Sequence, residues 1–272
     1  MTTAGDRDAI RSRWDRGGLA AAVSAAVLAM YPGRTSLTVD ELAPLDQFHS
    51  GGMTFTRRLA SIARIAPGSR VLDVGGGLGG PARTLAADLG CKVTVIDLAA
   101  SYVEAGRMLT VLAGLRDRVT HVVGDALELP FDDAAFDVVW TQNSGMNIAA
   151  KEAMYTGFRR VLRQAGTLAM QEPVAGPCEP RVYPLMWASG PEHDHVRTEE
   201  ALRTVVEANG FRVVAWDAVT PARPSAGAQR PVHTIQRLVM GDDRLDAIMA
   251  AALANQEEDR LRMIQAAAVA ES

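Results

Sequence analysis

The stretch Val71-Leu72-Asp73-Val74-Gly75-Gly76-Gly77-Leu78-Gly79-Gly80 decides how this 272-residue chain folds. Its apolar first half predicts a short buried strand over 70–74, and the glycines that follow can adopt turn conformations that other residues avoid. Pro81 begins the next predicted helix, 81–89, where its missing N–H leaves no hydrogen bond unmade. A strand that runs through glycines into a helix is typical of a ligand-binding turn, because the helix N-terminus offers free N–H groups and a partial positive charge.

Strands and helices alternate on the C-terminal side of this turn. Strands are predicted at 92–97, 119–123, 136–140, 167–170, 211–216 and 234–240, and helices at 101–114, 151–162 and 197–209. Such alternation is typical of an α/β protein with a mostly parallel, doubly wound sheet and helices on both of its faces.

This pattern divides the chain into three regions. Residues 1–66 are predicted to form N-terminal helices, and residues 67–240 a ligand-binding domain with a loop over the site at about 173–197. Residues 241–272 are predicted to end in a helix, since apolar residues recur at helical spacing over 256–270. We expect this helix to pack on the domain or, alternatively, to contact a second copy of the chain.

The composition excludes several classes of protein. Hydrophobic residues make up 48% of the chain and charged residues 22%, which excludes a disordered chain. The net charge is −4, so we expect no nucleic-acid partner, since such proteins concentrate positive charge. No apolar run reaches the ~18 residues of a membrane span. The two cysteines, Cys91 and Cys178, are too few for a disulfide framework, so we expect a protein of the reducing cytoplasm.

Two acidic residues at later strand ends extend the predicted binding site. Asp97 ends the second strand, 24 residues after Asp73, where a carboxylate can accept hydrogen bonds from both ribose hydroxyls of a nucleoside. Asp125 follows the third strand, where a carboxylate can accept from an adenine amino group. The glycines at 75, 77 and 80 also fit the G-x-G-x-x-G pattern of dinucleotide sites, so the spacing alone leaves NAD and other adenosine ligands open.

At these positions the chain resembles the class I S-adenosylmethionine (SAM)-dependent methyltransferases of the small-molecule type. The matching segments are 71–80, 95–98, 124–131, 136–140 and 160–166. In the last of them, Gln164-Ala165 stands where the family usually has Pro-Gly. The resemblance implies SAM as the cofactor and a Rossmann-like, doubly wound α/β fold. It further implies a seven-stranded sheet that is mostly parallel with an antiparallel last strand.

A second resemblance lies upstream, in Leu45-Asp46-Gln47-Phe48-His49-Ser50-Gly51-Gly52. This segment is similar to a D-Q-F-H-x-G-G segment of glycine/sarcosine N-methyltransferases and of relatives of the ubiquinone/menaquinone C-methyltransferases. His49 is the candidate general base, because an imidazole with a pKa of about 6.5 suits proton removal from a hydroxyl or ammonium group. Such sequences often have a His where this chain has Asn143, so no base role is transferred to Asn143.

The resemblance also implies cofactor and substrate roles for individual residues. The SAM-binding residues are Gln47, Asp73, Gly75, Gly77 and Gly79 for the methionine part, Asp97 for the ribose, Asp125 and Ala126 for the adenine, and beside them Leu98 and Gln142. The candidate substrate residues are Asn143, Asn147, Glu172, Tyr183 and Trp187. No metal site is predicted, because the two histidines of 193–195 lack a matching distant ligand.

Together these features predict an enzyme that transfers a methyl group from SAM to an O, N or C atom of a small-molecule metabolite. Two alternatives stay open: a SAM-binding fold used for another reaction such as cyclisation, and an NAD-dependent oxidoreductase. The expected partner is a small-molecule substrate, without nucleic acid or membrane, and a homodimer stays open as well.

Overall fold

The computed structural model describes residues 4–15, 17–220 and 234–271, and its centre is one seven-stranded sheet. The strands are β1 (Arg70–Val74), β2 (Lys92–Asp97), β3 (Val119–Val123), β4 (Phe136–Gln142), β5 (Leu162–Ala175), β6 (Phe211–Val219) and β7 (Leu261–Ala270). Their spatial order is β3-β2-β1-β4-β5-β7-β6. β1 to β5 pair in parallel, whereas β7 runs antiparallel between β5 and β6. The predicted Rossmann-like sheet with an antiparallel last strand is therefore confirmed.

Helices cover both faces of the sheet. In the described part of the chain they are α1 (Ala4–Trp14), α2 (Leu19–Met30), α3 (Val39–Asp46), α4 (Gly52–Ile62), α5 (Gly80–Leu89), α6 (Ala100–Leu112), α7 (Lys151–Val161), α8 (Glu199–Ala208), α9 (Ile235–Met240) and α10 (Asp242–Glu257). Helices α7 and α8 bury Phe158 and Leu202 on one face, and α4 and α5 bury Leu59 and Leu85 on the other. None of the helices in these ranges is long and apolar enough to cross a bilayer.

The parallel strands bring the predicted binding residues to one edge of the sheet. Asp73 of β1 pairs with Val95 of β2 and Trp140 of β4, while Asp97 and Gln142 are the last residues of their strands. Ligands of open α/β sheets bind outside the carboxyl ends of the strands. This edge is therefore where a binding site is expected.

The C-terminal residues 261–270 form β7, so the predicted helix over 256–270 is wrong. Alanine has a high helix propensity, but β7 pairs with β5 from Leu261 to Val269 and with β6 along its other side. Its central residues are buried, among them Ala266, Ala267 and Ala268. Pairing on two sides and burial on both faces therefore override the local preference. The helix that does form near the C-terminus is α10, upstream of this strand.

The predicted strand over 234–240 is also wrong, because this segment is helix α9. Thr234 caps the helix by accepting a hydrogen bond from the Arg237 backbone N–H. Ile235 and Val239, four residues apart, are both buried against a cluster that includes α2 and α6. The sheet has the predicted seven strands, but the seventh is β7 at Leu261–Ala270 and not the predicted segment 234–240.

Candidate active site

The turn between β1 and α5 needs glycine at several positions. Gly75, Gly77 and Gly79 have φ angles of +67°, +55° and +79°, a region that side chains disfavour. Gly76 is excluded from substitution by space, since a Cβ there would lie 2.5 Å from Asp73 Oδ2. The turn thus brings a bare backbone against the carboxyl edge of the sheet.

Asp97 holds this turn in place from the end of β2. Its Oδ2 accepts a hydrogen bond from the Gly77 N–H (2.8 Å), and its Oδ1 accepts one from the Ala99 N–H (2.9 Å). Burial raises the pKa of this carboxyl, and the two backbone N–H groups oppose that shift. Because a carboxylate oxygen has two lone pairs, Asp97 can still accept from a ligand hydroxyl.

Asp73 is a buried acid beneath the same turn. The residue is 1% exposed, and its Oδ2 has no hydrogen-bond partner among the described residues. Burial and the nearby charge of Asp97 raise the pKa of Asp73 to about 8. A buried carboxyl group without a partner is costly, so this atom fits a site for a cationic or hydrogen-bond-donating ligand.

A cleft with about 1180 Å³ of empty space, its open mouth included, lies over this edge. Its walls come from α1, the end of α3, the glycine turn, the ends of β2 and β4, the turn after β3, and the start of α6. Of the residues predicted to bind SAM, those that line it are Asp73, Gly75, Gly77, Asp97, Leu98, Asp125, Ala126 and Gln142. His49, Asn143 and Asn147, predicted to act on or bind the substrate, line it as well.

Helix α1 forms a wall of this cleft that the sequence prediction did not identify. The lining residues are Arg7, Ile10, Arg11 and Trp14, which share one face of the helix. Their spacing in the sequence, at positions 7, 10, 11 and 14, could have indicated this shared helix face. Asp15, just beyond the helix, accepts a hydrogen bond from the Ser101 N–H (2.9 Å) and so ties α1 to the start of α6.

Three aromatic rings from distant parts of the chain meet inside the cleft. Trp14 lies edge-on to Phe48 and to Tyr102, with ring centroids 5.9 and 6.4 Å apart. Phe48 and Tyr102 are stacked at 6.4 Å. All three line the cleft, so this part of its wall is apolar and can bind a cation through the ring faces.

His49 also lines the cleft, and both of its ring nitrogens lie close to polar neighbours. Nε2 is 2.9 Å from Gln47 Oε1 and 3.2 Å from Thr56 Oγ1. Nδ1 is 3.2 Å from the Ser50 carbonyl oxygen and 3.4 Å from Gln142 Nε2. Burial lowers the pKa of His49 to about 4, so the imidazole is neutral at pH 7.

A chain of amide side chains continues from His49 into the sheet. Gln142 Nε2 donates to Gln171 Oε1 (3.3 Å), and Gln171 Nε2 donates to Asn143 Oδ1 (2.7 Å). Gln265 of β7 also donates to Gln171 Oε1 (2.8 Å). Asn143 has a φ of +55°, which asparagine tolerates better than most residues, and the cleft lies beside it. The network therefore fixes the amide groups of Gln142 and Asn143 beside the cleft.

Five predicted site residues lie away from the cleft lining. Gly79 precedes α5, and a Cβ built on it would collide with the His121 ring. Gln47 Nε2 donates to Thr84 Oγ1 (3.3 Å), and Gln47 Oε1 lies near His49 Nε2. Glu172 is buried in β5, where its carboxylate accepts from the N–H groups of Gly145 (2.8 Å) and Met146 (3.2 Å).

Tyr183 and Trp187, the other two, are hydrogen-bonded to Asp194 within the loop after β5. The Tyr183 hydroxyl donates to Asp194 Oδ2 (2.9 Å), and Trp187 Nε1 donates to Asp194 Oδ1 (3.0 Å). Arg181 Nε lies 2.6 Å from the same Oδ2. Asp194 thus joins three side chains of this loop and holds the loop in one conformation. No group of three or more His, Cys, Asp or Glu residues in the described ranges could hold a metal ion.

Comparisons with known proteins agree with this geometry. Residues 71–166 match the family described as Methyltransferase domain. The chain is 38% identical over 119 residues to a sarcosine/dimethylglycine N-methyltransferase of Halorhodospira halochloris, covering 43% of this chain and 42% of that protein. The chain thus spans less than half the length of that relative.

Two solved structures share the fold at low sequence identity. A geranyl diphosphate C-methyltransferase from Streptomyces coelicolor A3(2) superposes with a TM-score of 0.71 at 17% identity, covering 99% of each chain. The [4+2]-cyclase SpnF superposes with a TM-score of 0.63 at 21% identity, covering 88% of this chain and 99% of that one. Residues 71–166 therefore match a methyltransferase domain, and the sheet around them has the Rossmann-like fold of these two solved structures.

Proposed function

We propose that this protein transfers a methyl group from SAM to a small molecule bound in the cleft. The observation that carries the proposal is the half-buried Asp97, which accepts a hydrogen bond from the Gly77 N–H and lines the cleft inside a segment that matches a methyltransferase domain. Two similar proteins named above carry methyltransferase names and support it, the sarcosine/dimethylglycine N-methyltransferase and the geranyl diphosphate C-methyltransferase.

The described residues fit SAM along the length of the cleft. Asp125 would accept from the adenine, Asp97 from the ribose hydroxyls, and the glycine turn with Asp73 would face the methionine part. When bound, SAM supplies a methyl group on a sulfonium sulfur, which leaves as a neutral thioether. The chain therefore has mainly to orient the acceptor and exclude water. The aromatic wall of Trp14 and Phe48 serves the second task.

His49, Gln142 and Asn143 are the residues we assign to the acceptor. Hydrogen bonds from these side chains would orient a hydroxyl, amine or carbonyl group near the glycine turn. His49 is neutral at neutral pH, so it is in the protonation state that a general base needs. A base is required for a hydroxyl acceptor, whereas for a neutral amine orientation is sufficient. The acceptor atom, O, N or C, stays open.

Methyl-labelled SAM tests this proposal directly. The protein is incubated with the labelled SAM and a small-molecule extract of its source cells, and products are sought by mass spectrometry. We expect a labelled product with the wild type and less than a tenth of it with Asp97→Asn, since charge-assisted hydrogen bonds are worth about 1.5–3 kcal/mol each.

The two alternatives give different results. Stabilisation of the protein by NAD but not by S-adenosylhomocysteine (SAH) would indicate an oxidoreductase. SAH binding with a remodelled but unlabelled metabolite would indicate another reaction, as in the cyclase that shares the fold.

We also propose a cytoplasmic location and no nucleic-acid partner. The net charge of −4 and the two free cysteines, Cys91 buried and Cys178 exposed, support these assignments. Whether the chain forms a homodimer is a question for light scattering.

A further inference from the structure

His49, the residue assigned as the base, has two ring nitrogens, and a neutral imidazole carries a proton on only one of them. The nitrogen without the proton is the one that can take a proton from a substrate. The hydrogen bonds around the ring determine which nitrogen that is. Each side chain that contacts the His49 ring can be identified as a donor or an acceptor from its own remaining contacts.

Gln142 contacts the Nδ1 side of the ring with its amide nitrogen. The Trp140 indole N–H can only donate, and it lies 3.1 Å from the Gln142 side-chain oxygen, Oε1. Thr56 Oγ1 donates to the same oxygen (3.1 Å). Gln142 Nε2 is thereby directed towards His49 Nδ1, 3.4 Å away, and it can only donate. This contact favours an Nδ1 without a proton.

Gln47 contacts the Nε2 side of the ring with its amide oxygen. The Thr84 hydroxyl donates to the Gly80 carbonyl (3.0 Å), so it accepts from Gln47 Nε2 (3.3 Å). Gln47 Oε1 is thereby directed towards His49 Nε2, 2.9 Å away, and it can only accept. A proton on Nε2 completes this hydrogen bond, whereas a bare Nε2 would place two lone pairs against each other.

The Ser50 carbonyl oxygen, 3.2 Å from Nδ1, would favour a proton on that nitrogen instead. This oxygen already accepts a hydrogen bond from the buried Gln171 Nε2 (2.9 Å). The contact between Nε2 and Gln47 Oε1 is also the shorter of the two. The neutral ring is therefore protonated on Nε2. Because a carbonyl oxygen has two lone pairs, Ser50 can still accept from Nδ1 once that nitrogen has gained a proton.

The two sides of the ring also differ in their access to the cleft. Gln142, beside Nδ1, lines the cleft, whereas Gln47 and Thr56, beside Nε2, lie outside its lining. Both Gln47 and Thr56 are buried. A ligand hydroxyl in the cleft can therefore approach Nδ1, while protein side chains cover Nε2.

We propose that Gln47 is a positioning residue, whose Oε1 holds the proton of His49 on Nε2 and leaves Nδ1 to act as the base. Like the assignment of His49, this role rests on the function proposed above. With a hydroxyl acceptor, the O–H proton passes to Nδ1 while an electron pair of the oxygen forms the bond to the methyl carbon. The electron pair of the broken carbon–sulfur bond stays on sulfur. The imidazolium then donates from Nε2 to Gln47 and from Nδ1 to the Ser50 carbonyl.

Long-range ¹H–¹⁵N NMR tests this proposal, because it distinguishes a protonated from an unprotonated ring nitrogen. The chain is labelled with ¹⁵N, and the His49 signals are identified by their loss in His49→Gln. At neutral pH we expect the wild type to carry its proton on Nε2. In Gln47→Leu, which removes the acceptor, the ratio of the Nε2–H form to the Nδ1–H form should fall about 3- to 10-fold, as for loss of one neutral hydrogen bond. Gln47→Glu retains an acceptor oxygen and should keep the proton on Nε2.

Gln236→Leu is the matched control. Gln236 Nε2 donates to the Gln47 backbone carbonyl (3.3 Å), so this variant loses a contact with the same residue but leaves the Gln47 side chain in place. A wild-type proton on Nδ1 would overturn the proposal. So would an unchanged ratio in Gln47→Leu, or an equal shift in Gln236→Leu.

The rate of methyl transfer gives a second readout. With a hydroxyl substrate, kcat should fall in Gln47→Leu by the same factor as the ratio of the two forms, with KM unchanged, and Gln236→Leu should keep the wild-type kcat. Equal kcat values in the two leucine variants would contradict the role of Gln47. The NMR measurement needs neither SAM nor substrate. A failure of the proposed function therefore appears in the labelling experiment, and a failure of this inference appears in the NMR spectrum.

Discussion

Arg7 Nε in α1 lies 2.9 Å from Asp125 Oδ2 in the turn after β3. The N-terminal helix is thereby joined to the side of the cleft that we assign to adenine. Arg7 also reaches Glu128 at 2.5 Å, and Trp14 at the end of the helix donates to Asn147 Oδ1 (3.1 Å). Helix α1 is thus held over the cleft at both of its ends.

We expect Arg7→Ala to weaken SAH binding by about two- to fivefold and to speed its dissociation. The pair is partly exposed, and such pairs contribute about 0.2–1 kcal/mol. Stopped-flow fluorescence gives the dissociation rate, with Trp14 as a reporter at the cleft. Arg203→Ala is the control, because it breaks a comparable pair with Glu207 on α8, far from the cleft. Equal effects of the two variants would contradict the role of α1 as a wall of the site.

The pH dependence of SAH affinity should report Asp73. In the free protein its pKa is about 8, and an approaching ammonium group favours the ionised form and lowers that pKa. Binding therefore releases a proton below pH 8, so affinity should rise by up to about tenfold per pH unit from pH 6 to 8 and then level off. Calorimetry in two buffers of different ionisation heat counts the proton. In Asp73→Asn the rise should disappear; a rise that persists would assign it to another group.

Protonation of His49 should not reduce the rate of methyl transfer as the pH is lowered from 8 to about 5. Burial lowers its pKa to about 4, so the neutral form that acts as a base persists well below the usual pKa of about 6.5. With a hydroxyl substrate, we expect His49→Gln to lower kcat by about 10²- to 10⁴-fold, the usual contribution of a general base. The Kd for SAH serves as the control and should stay within about threefold. An acid limb at pH 6.5 in the wild type would show that the imidazole is solvated.

Asp194→Asn should loosen the loop between β5 and α8. The Asp194 carboxylate is fully buried and accepts from Tyr183, Trp187 and Arg181, so its loss leaves Arg181 without its buried partner. Breaking such a pair costs about 3–5 kcal/mol, and trypsin should then cleave after Arg181 at least about tenfold faster. Glu179→Gln is the matched variant, since Glu179 is the exposed partner of Arg181 and should matter little. Equal cleavage of the two variants would show that Asp194 does not hold the loop.

Several features could be predicted because they depend on neighbours in the sequence. The glycine turn is one, since Gly75 and Gly77 need positive φ angles and Gly76 has no room for a side chain. The positions of Asp97 and Asp125 are another, because the carboxyl ends of parallel strands meet at one edge whatever the helices between them do. That these residues bind SAM, and that His49 acts on the substrate, remain predictions.

The sequence by itself thus determined the α/β alternation, the glycine turn and the acids that surround it. The tertiary structure decided that 261–270 is a strand, because its pairing with β5 and β6 outweighs the helix propensity of alanine. It also decided that α1 closes the cleft and that Asp46, rather than Gln47, faces it. Both depend on contacts between residues far apart in the chain, such as Arg7 with Asp125 and Asp46 with Arg83, which no local pattern encodes.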